Sequence, residues 1–188
     1  MSAFEKTLTP VALGHVELEA TFQQLFTHSH RTRLVGGGTE PLYRPATNPQ
    51  ELHTITYSYD YAASALHEVA HWCVAGAARR QQEDYGYWYA PDGRTAQQQN
   101  LFEQVEVKPQ ALEWIFSVAA GRTFRVSADN LEAELGASQA FKDAVYQQVQ
   151  HYCQNGLPER ADAFAQALAT RTGLCAPLTP AYFQCEAL

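Results

Sequence analysis

The apolar positions of this chain fall into stretches with two different periods. Residues 11–27 place Val16, Leu18, Phe22, Leu25 and Phe26 on one stripe, which predicts an amphipathic helix. Arg33 to Val35 predicts a short strand, and the run Gly36-Gly37-Gly38 is expected to break it. HTITYSY at 53–59 alternates and is rich in β-branched and aromatic residues, which predicts a second strand. Residues 60–80 then read as a helix with Asp60 as N-cap and arginines near its C-terminal end. This helix is apolar nearly all round, so it should be central and buried.

The stretch 81–99 is rich in aromatics, Gly and Pro and predicts a loop, with a short strand at Tyr87–Tyr89. A second long helix is expected over 100–121, kinked or restarted at Pro109. SADNLEAELG is a loop with at most one turn. Helices are then expected over 138–156, with Ser138 as N-cap and Gly156 past the end, and over 158–173, with proline at the start and Gly173 beyond. The tail PLTPAYFQCEAL adds a short final helical turn. The fold class is therefore α+β and mostly α-helical. We expect a single domain over 1–188, in which a central helix packs on a second long helix beside a small sheet. No internal repeat or low-complexity tract is present.

Composition narrows the partners. The 188 residues are 46% apolar and 18% charged, a globular balance. A net charge of −7 with no basic block argues against nucleic acid and suits a cationic partner. No apolar run is long enough for a spanning helix, and MSAFEKTLTP lacks the layout of a secretory signal, so neither membrane nor export is expected. The glycine run lacks the Lys-Ser/Thr of a phosphate-binding loop. Cys73, Cys153, Cys175 and Cys185 form no C-x-x-C and are expected to be reduced thiols of a cytoplasmic protein.

The chemistry concentrates in the first buried helix. His67-Glu68-Val69-Ala70-His71 puts two imidazoles four residues apart, on one face and about one turn apart. Two buried imidazoles and a carboxylate in an apolar helix need partners, and a metal ion supplies them together. Glu68, next round the helix, can address a metal-bound water. A third ligand is expected from the following helix, where Glu106 is favoured over Glu103 three residues before it. His15-Val16-Glu17 is a weaker pattern, and His28, His30, His53 and His151 read as surface or strand residues. Two histidines and a carboxylate serve a zinc peptidase or a non-haem iron oxygenase equally well. A closed, non-catalytic metal site in a binding protein is a third possibility. The residues by themselves stop there.

SALHEVAHWCVAGAARR, DYGYWYAPDGRTAQQQNLFEQVEVKPQALEW and NGLPERADAF closely resemble the bacterial elongation factor P hydroxylase family. The likeness runs from about residue 32 to 170, and 64–114 carries most of it. The resemblance implies a non-haem Fe²⁺ enzyme that uses O₂ to hydroxylate the β-lysylated lysine of elongation factor P, the last step of that modification. By position it implies His67, His71 and Glu106 as metal ligands and Glu68 as the motif glutamate. For so long and cationic an arm, Asp84, Glu103 and Asp92 are candidate ammonium acceptors. Tyr85, Tyr87, Trp88 and Tyr89 are candidates to line its channel. Arg94 and Lys108 read as local charge balance.

Overall fold

A computed structural model describes residues 11–86, 95–127, 137–185 and 188. The expected strand at Tyr87–Tyr89, Asp92, Arg94 and most of SADNLEAELG lie outside the described residues. Among the described residues there are five helices and one three-stranded sheet. The order is α1 (His15–Phe26), β1 (Thr32–Gly38), β2 (Leu42–Arg44), β3 (His53–Ser58), α2 (Ala62–Val74), α3 (Ala96–Ala119), α4 (Gln139–Asn155) and α5 (Glu159–Thr172). Short 3₁₀ turns stand at Arg79–Gln81, Glu83–Gly86 and Pro180–Tyr182. None of these helices is long and apolar enough to cross a membrane.

The sheet has the order β1-β3-β2, with β3 parallel to β1 and antiparallel to β2. The glycine run does not end β1. The strand continues to Gly38 through an irregularity between Val35 and Gly38. An added Cβ on Gly36 would come within 2.7 Å of the Tyr57 hydroxyl, and one on Gly38 within 2.7 Å of the Thr56 methyl. The glycines therefore serve close approach of β1 to β3. Strand β2 is three residues long, too short to show an alternation in sequence.

Helix α2 lies in the middle of the molecule, packed against α3, β3, α1, α5 and β1. Leu66, Val69, Ala70 and Trp72 are fully buried on it. Trp72 is enclosed by Phe22, Phe26 and His30, and the Arg160 guanidinium lies 4.5 Å above its ring. His30, expected to be a surface or strand residue, is thus packed edge-on against the core. One continuous cluster of buried side chains joins all five helices and the sheet, and burial of such surface is the main force that assembles them.

Three expected boundaries move. Asp60 is not the cap of α2. The N-cap is Tyr61, because the turn before it is fixed by bonds from Tyr59 N to Gly38 O and from Gly37 N to Tyr59 O. Helix α2 stops at Val74, where Ala75 turns extended. The end is held by guanidiniums, with Arg80 Nη1 and Arg160 Nη2 both donating to the Ala75 carbonyl and Arg160 also to Cys73 O. Helix α3 begins before residue 100, at Ala96. There Thr95 accepts from Gln98 N, and the Gln98 side chain accepts from Thr95 N. It runs unbroken through Pro109, which is buried in its wall.

Candidate metal centre

Helix α2 presents His67 and His71 to α3, one turn apart as the spacing requires. Their Nε2 atoms stand 3.0 Å apart. Glu106, on the facing side of α3 and 2% exposed, brings Oε1 to 3.2 Å from His71 Nε2 and Oε2 to 3.7 Å from His67 Nε2. Donor atoms about 2.1 Å from a shared ion sit about 3.0 Å apart at right angles and about 3.4 Å apart at the tetrahedral angle. The three spacings bracket these values, so the two nitrogens and the carboxylate fit a first-row divalent ion. These three residues form a group that can hold a metal.

A fourth residue supports them. Glu113 Oε2 lies 2.8 Å from His67 Nδ1. A carboxylate on the far nitrogen fixes the ring and directs Nε2 toward the centre. Glu113 was not picked out from the sequence. Its signal is spacing: it follows Glu106 by seven residues, two helical turns on one face. Gln110 lies between them, with its amide directed at Glu106 Oε2 (3.5 Å) and bonded to Ser127 O and N.

The electrostatics follow from this crowding. Burial alone lowers the His67 pKa, but the Glu113, Glu106 and Glu68 carboxylates outweigh it and hold the imidazole well above its ordinary value. Burial works against Glu106 too, yet the two imidazoles and the hydrogen bonds bring its carboxyl down to about 2. Glu68 differs. Burial pushes its pKa up, and the imidazoles only partly offset this. Glu106 and Glu68 are thus shifted in opposite directions. Cys73, one turn along, is buried and its thiol is pushed up to about 12, which suits packing rather than reactivity.

The other sequence candidates lie in different settings. Glu103 is turned to the start of α4, where it accepts from Ser138 Oγ at 2.7 Å and from Ser138 N at 3.5 Å. It supports the helix cap and does not join the two histidines. Asp84 and Tyr85 occupy the 3₁₀ turn before the undescribed segment, both in left-handed backbone with φ of 46° and 59°. Such a pair is strained, by roughly 1–3 kcal/mol per residue. Asp84 Oδ1 holds this turn by accepting from Tyr43 N at 2.8 Å, and the Tyr85 ring stacks on Tyr43 at 4.3 Å. Tyr85 is buried, so its ring packs between the turn and the sheet and does not face an open channel. Tyr87 lies outside the described residues. Glu17 of His15-Val16-Glu17 accepts from Gly14 N and caps α1.

Comparison with known proteins adds a separate line. Residues 21–179 match the elongation factor P hydroxylase family, a span wider at both ends than the sequence motifs alone suggest. The elongation factor P lysine hydroxylase of Haemophilus influenzae is 51% identical over 152 residues, covering 81% of this chain and 85% of that protein.

Proposed function

Because the chain belongs to the elongation factor P hydroxylase family, we propose that it hydroxylates the β-lysylated lysine of elongation factor P, with Fe²⁺ held by His67, His71 and Glu106. O₂ gives one oxygen atom to the new C–OH bond, and two electrons from an external reductant with two protons take the other to water. The chain acts as one catalytic domain and works in the cytoplasm, where its protein substrate takes part in translation. Family membership favours a hydroxylase over the hydrolase that the same donor set allows. The observation that carries the site assignment is the convergence of two imidazoles and a buried carboxylate within ligand spacing.

Bound to these donors, Fe²⁺ supplies oxygen activation at its open positions. The chain's own residues do the rest. Glu113 holds His67 Nδ1, so that Nε2 faces inward. Gln110 steadies Glu106, whose two oxygens face the two rings. Leu66, Val69 and Ala70 pack α2 into the core behind the site and exclude water from that side. Glu68, whose pKa burial raises, is suited to take up and hand on a proton at its carboxyl, a shift that serves a general acid or a general base alike. Asp84 stands near enough to feel the His71 charge and adds negative potential beside the site, which favours a cationic arm.

The test is direct. Purified, iron-loaded protein is incubated under air and with a two-electron reductant such as ascorbate, with elongation factor P carrying the β-lysyl group and, separately, with the unextended factor. Intact-mass spectrometry should show a gain of one oxygen on the extended form at a rate at least about tenfold above the unextended form. Equal rates on both would remove the β-lysyl group from the recognition, and no gain on either would refute the reading.

A further inference from the structure

Three motifs carry the family likeness, and the third, NGLPERADAF at 155–164, contributes no candidate metal ligand. Its Arg160 stands in the first turn of α5 and reaches the end of α2. Arg160 Nη2 donates to the carbonyls of Cys73 at 3.1 Å and Ala75 at 2.8 Å. The guanidinium carbon lies 4.5 Å from the centre of the Trp72 ring. Among the described residues Arg160 makes no ion pair. The side chain is half-buried, and burial and then the neighbouring Arg80 charge lower its pKa. A guanidinium so placed serves the backbone and the tryptophan of α2 instead of a carboxylate.

The two histidines of that helix are held differently. A metal-ligating imidazole usually gives its second ring nitrogen to a carboxylate, a carbonyl or water, which fixes the ring. His67 has this in Glu113, 2.8 Å from Nδ1. His71 makes its contacts through Nε2, to His67 and Glu106, and its Nδ1 has no protein partner among the described residues. The direction of the His71 ring therefore depends on its backbone. That backbone is the last turn of α2, which ends at Val74. Carbonyls in a last turn lack helical donors, and such ends fray. Here Ala75 N closes the turn on the His71 carbonyl at 2.9 Å, and Arg160 closes the carbonyls of Cys73 and Ala75. Trp72 follows His71, about 100° round the helix. Its ring is fully buried between Phe22, Phe26 and Arg160. Rotation of the turn that carried His71 away from Glu106 would have to move this ring from under the guanidinium.

We propose that Arg160 is a positioning residue of the metal centre: from α5 it fixes the last turn of α2 and so holds His71 Nε2 beside Glu106. Glu113 does the same for His67 through the ring itself. One histidine is set at its side chain and the other at its backbone. The proposal rests on the reading of His67, His71 and Glu106 as metal ligands and deepens it.

The test is a double-mutant cycle on metal affinity. Co²⁺ binding is measured by chelator competition for the wild type, Arg160→Met, His71→Ala and the double variant, each shown to be folded by circular dichroism. Methionine keeps an apolar stem at the position and removes the donors. Arg160→Met should weaken Co²⁺ binding by roughly tenfold, as loss of an outer partner does. In the His71→Ala background it should change nothing, because no His71 is left to position. A residue that only stabilises the fold would lower Tm and leave both affinities in place, or weaken both backgrounds alike. Arg160→Lys keeps a charged donor and carries the test if the methionine variant does not fold; it should show a smaller loss, again only where His71 is present. Wild-type affinity in the Arg160 variants, or an equal loss in the His71→Ala background, overturns the proposal. If His71→Ala weakens binding while the Arg160 variants do not, the proposal falls and the ligand reading stands. If His71→Ala binds Co²⁺ as the wild type does, the ligand reading falls and the proposal with it.

Discussion

Glu113 supports the candidate centre without being one of its three candidate ligands. It holds His67 Nδ1 at 2.8 Å, and loss of such a partner typically weakens a metal site by 10- to 100-fold. We expect Glu113→Gln to remain folded and to lower affinity for Fe²⁺, or Co²⁺ as a stand-in, by roughly tenfold in a chelator-competition assay. An unchanged affinity would leave Glu113 with no part in holding the centre. Titration of the metal-free protein gives a second expectation at this scale. The Glu106 carboxyl is lowered to about 2 in the folded state, so its stabilising contribution is complete above the ordinary carboxylate range and is lost as pH falls toward 2. His67 is shifted the other way, so its contribution is present below its ordinary imidazole value and is lost as pH rises through the raised one. Tm of the metal-free protein should therefore decline on both sides of mildly acidic pH. Glu106→Gln should flatten the acid limb; an acid limb identical to the wild type's would contradict the shift.

The elements show which features a sequence pattern can and cannot reveal. His67 and His71 were legible because a helix fixes where residues four apart point, whatever the tertiary setting. Glu106 was legible as one of two candidates. The choice between it and Glu103 depends on the rotation of α3 against α2, which no local pattern encodes. The packing turns Glu106 inward and leaves Glu103 at the cap of α4. Glu113 escaped for the same reason, since its partner lies 46 residues away. The start of α3 was hidden by a polar run, although Thr95 and Gln98 carry the spacing of a capping box. The end of α2 was hidden because its cap comes from Arg160 on α5. Glu103 and Ser138 allow a clean check at this scale. Ser138→Ala should lower stability by about 1 kcal/mol, as removal of an N-cap does. Glu103→Ala should cost no more, with the two effects less than additive in a thermal double-mutant cycle. Metal affinity should be unchanged in both; a loss in Glu103→Ala would make it a ligand after all.

At the scale of the whole molecule, sheet and helices serve one purpose, which is to bury α2 on several sides and leave its histidine face toward α3. The mostly helical class and the small sheet were readable from period and composition, since burial enforces those patterns along the chain. The parallel pairing of β1 with β3, and the use of Gly36 and Gly38 to bring them close, depend on contacts distant in sequence and were not. The net charge of −7 suits a cationic arm but does not identify it; family membership supplies the reaction. The central claim joins that reaction to the His67–His71–Glu106 cluster. Its most direct test is mass spectrometry of β-lysylated elongation factor P after co-expression with the wild-type protein or with His71→Ala, each shown to be folded. The account predicts one added oxygen on the modified lysine with the wild type and none with His71→Ala. Full hydroxylation by the folded His71→Ala protein would contradict it and place the chemistry elsewhere in the chain.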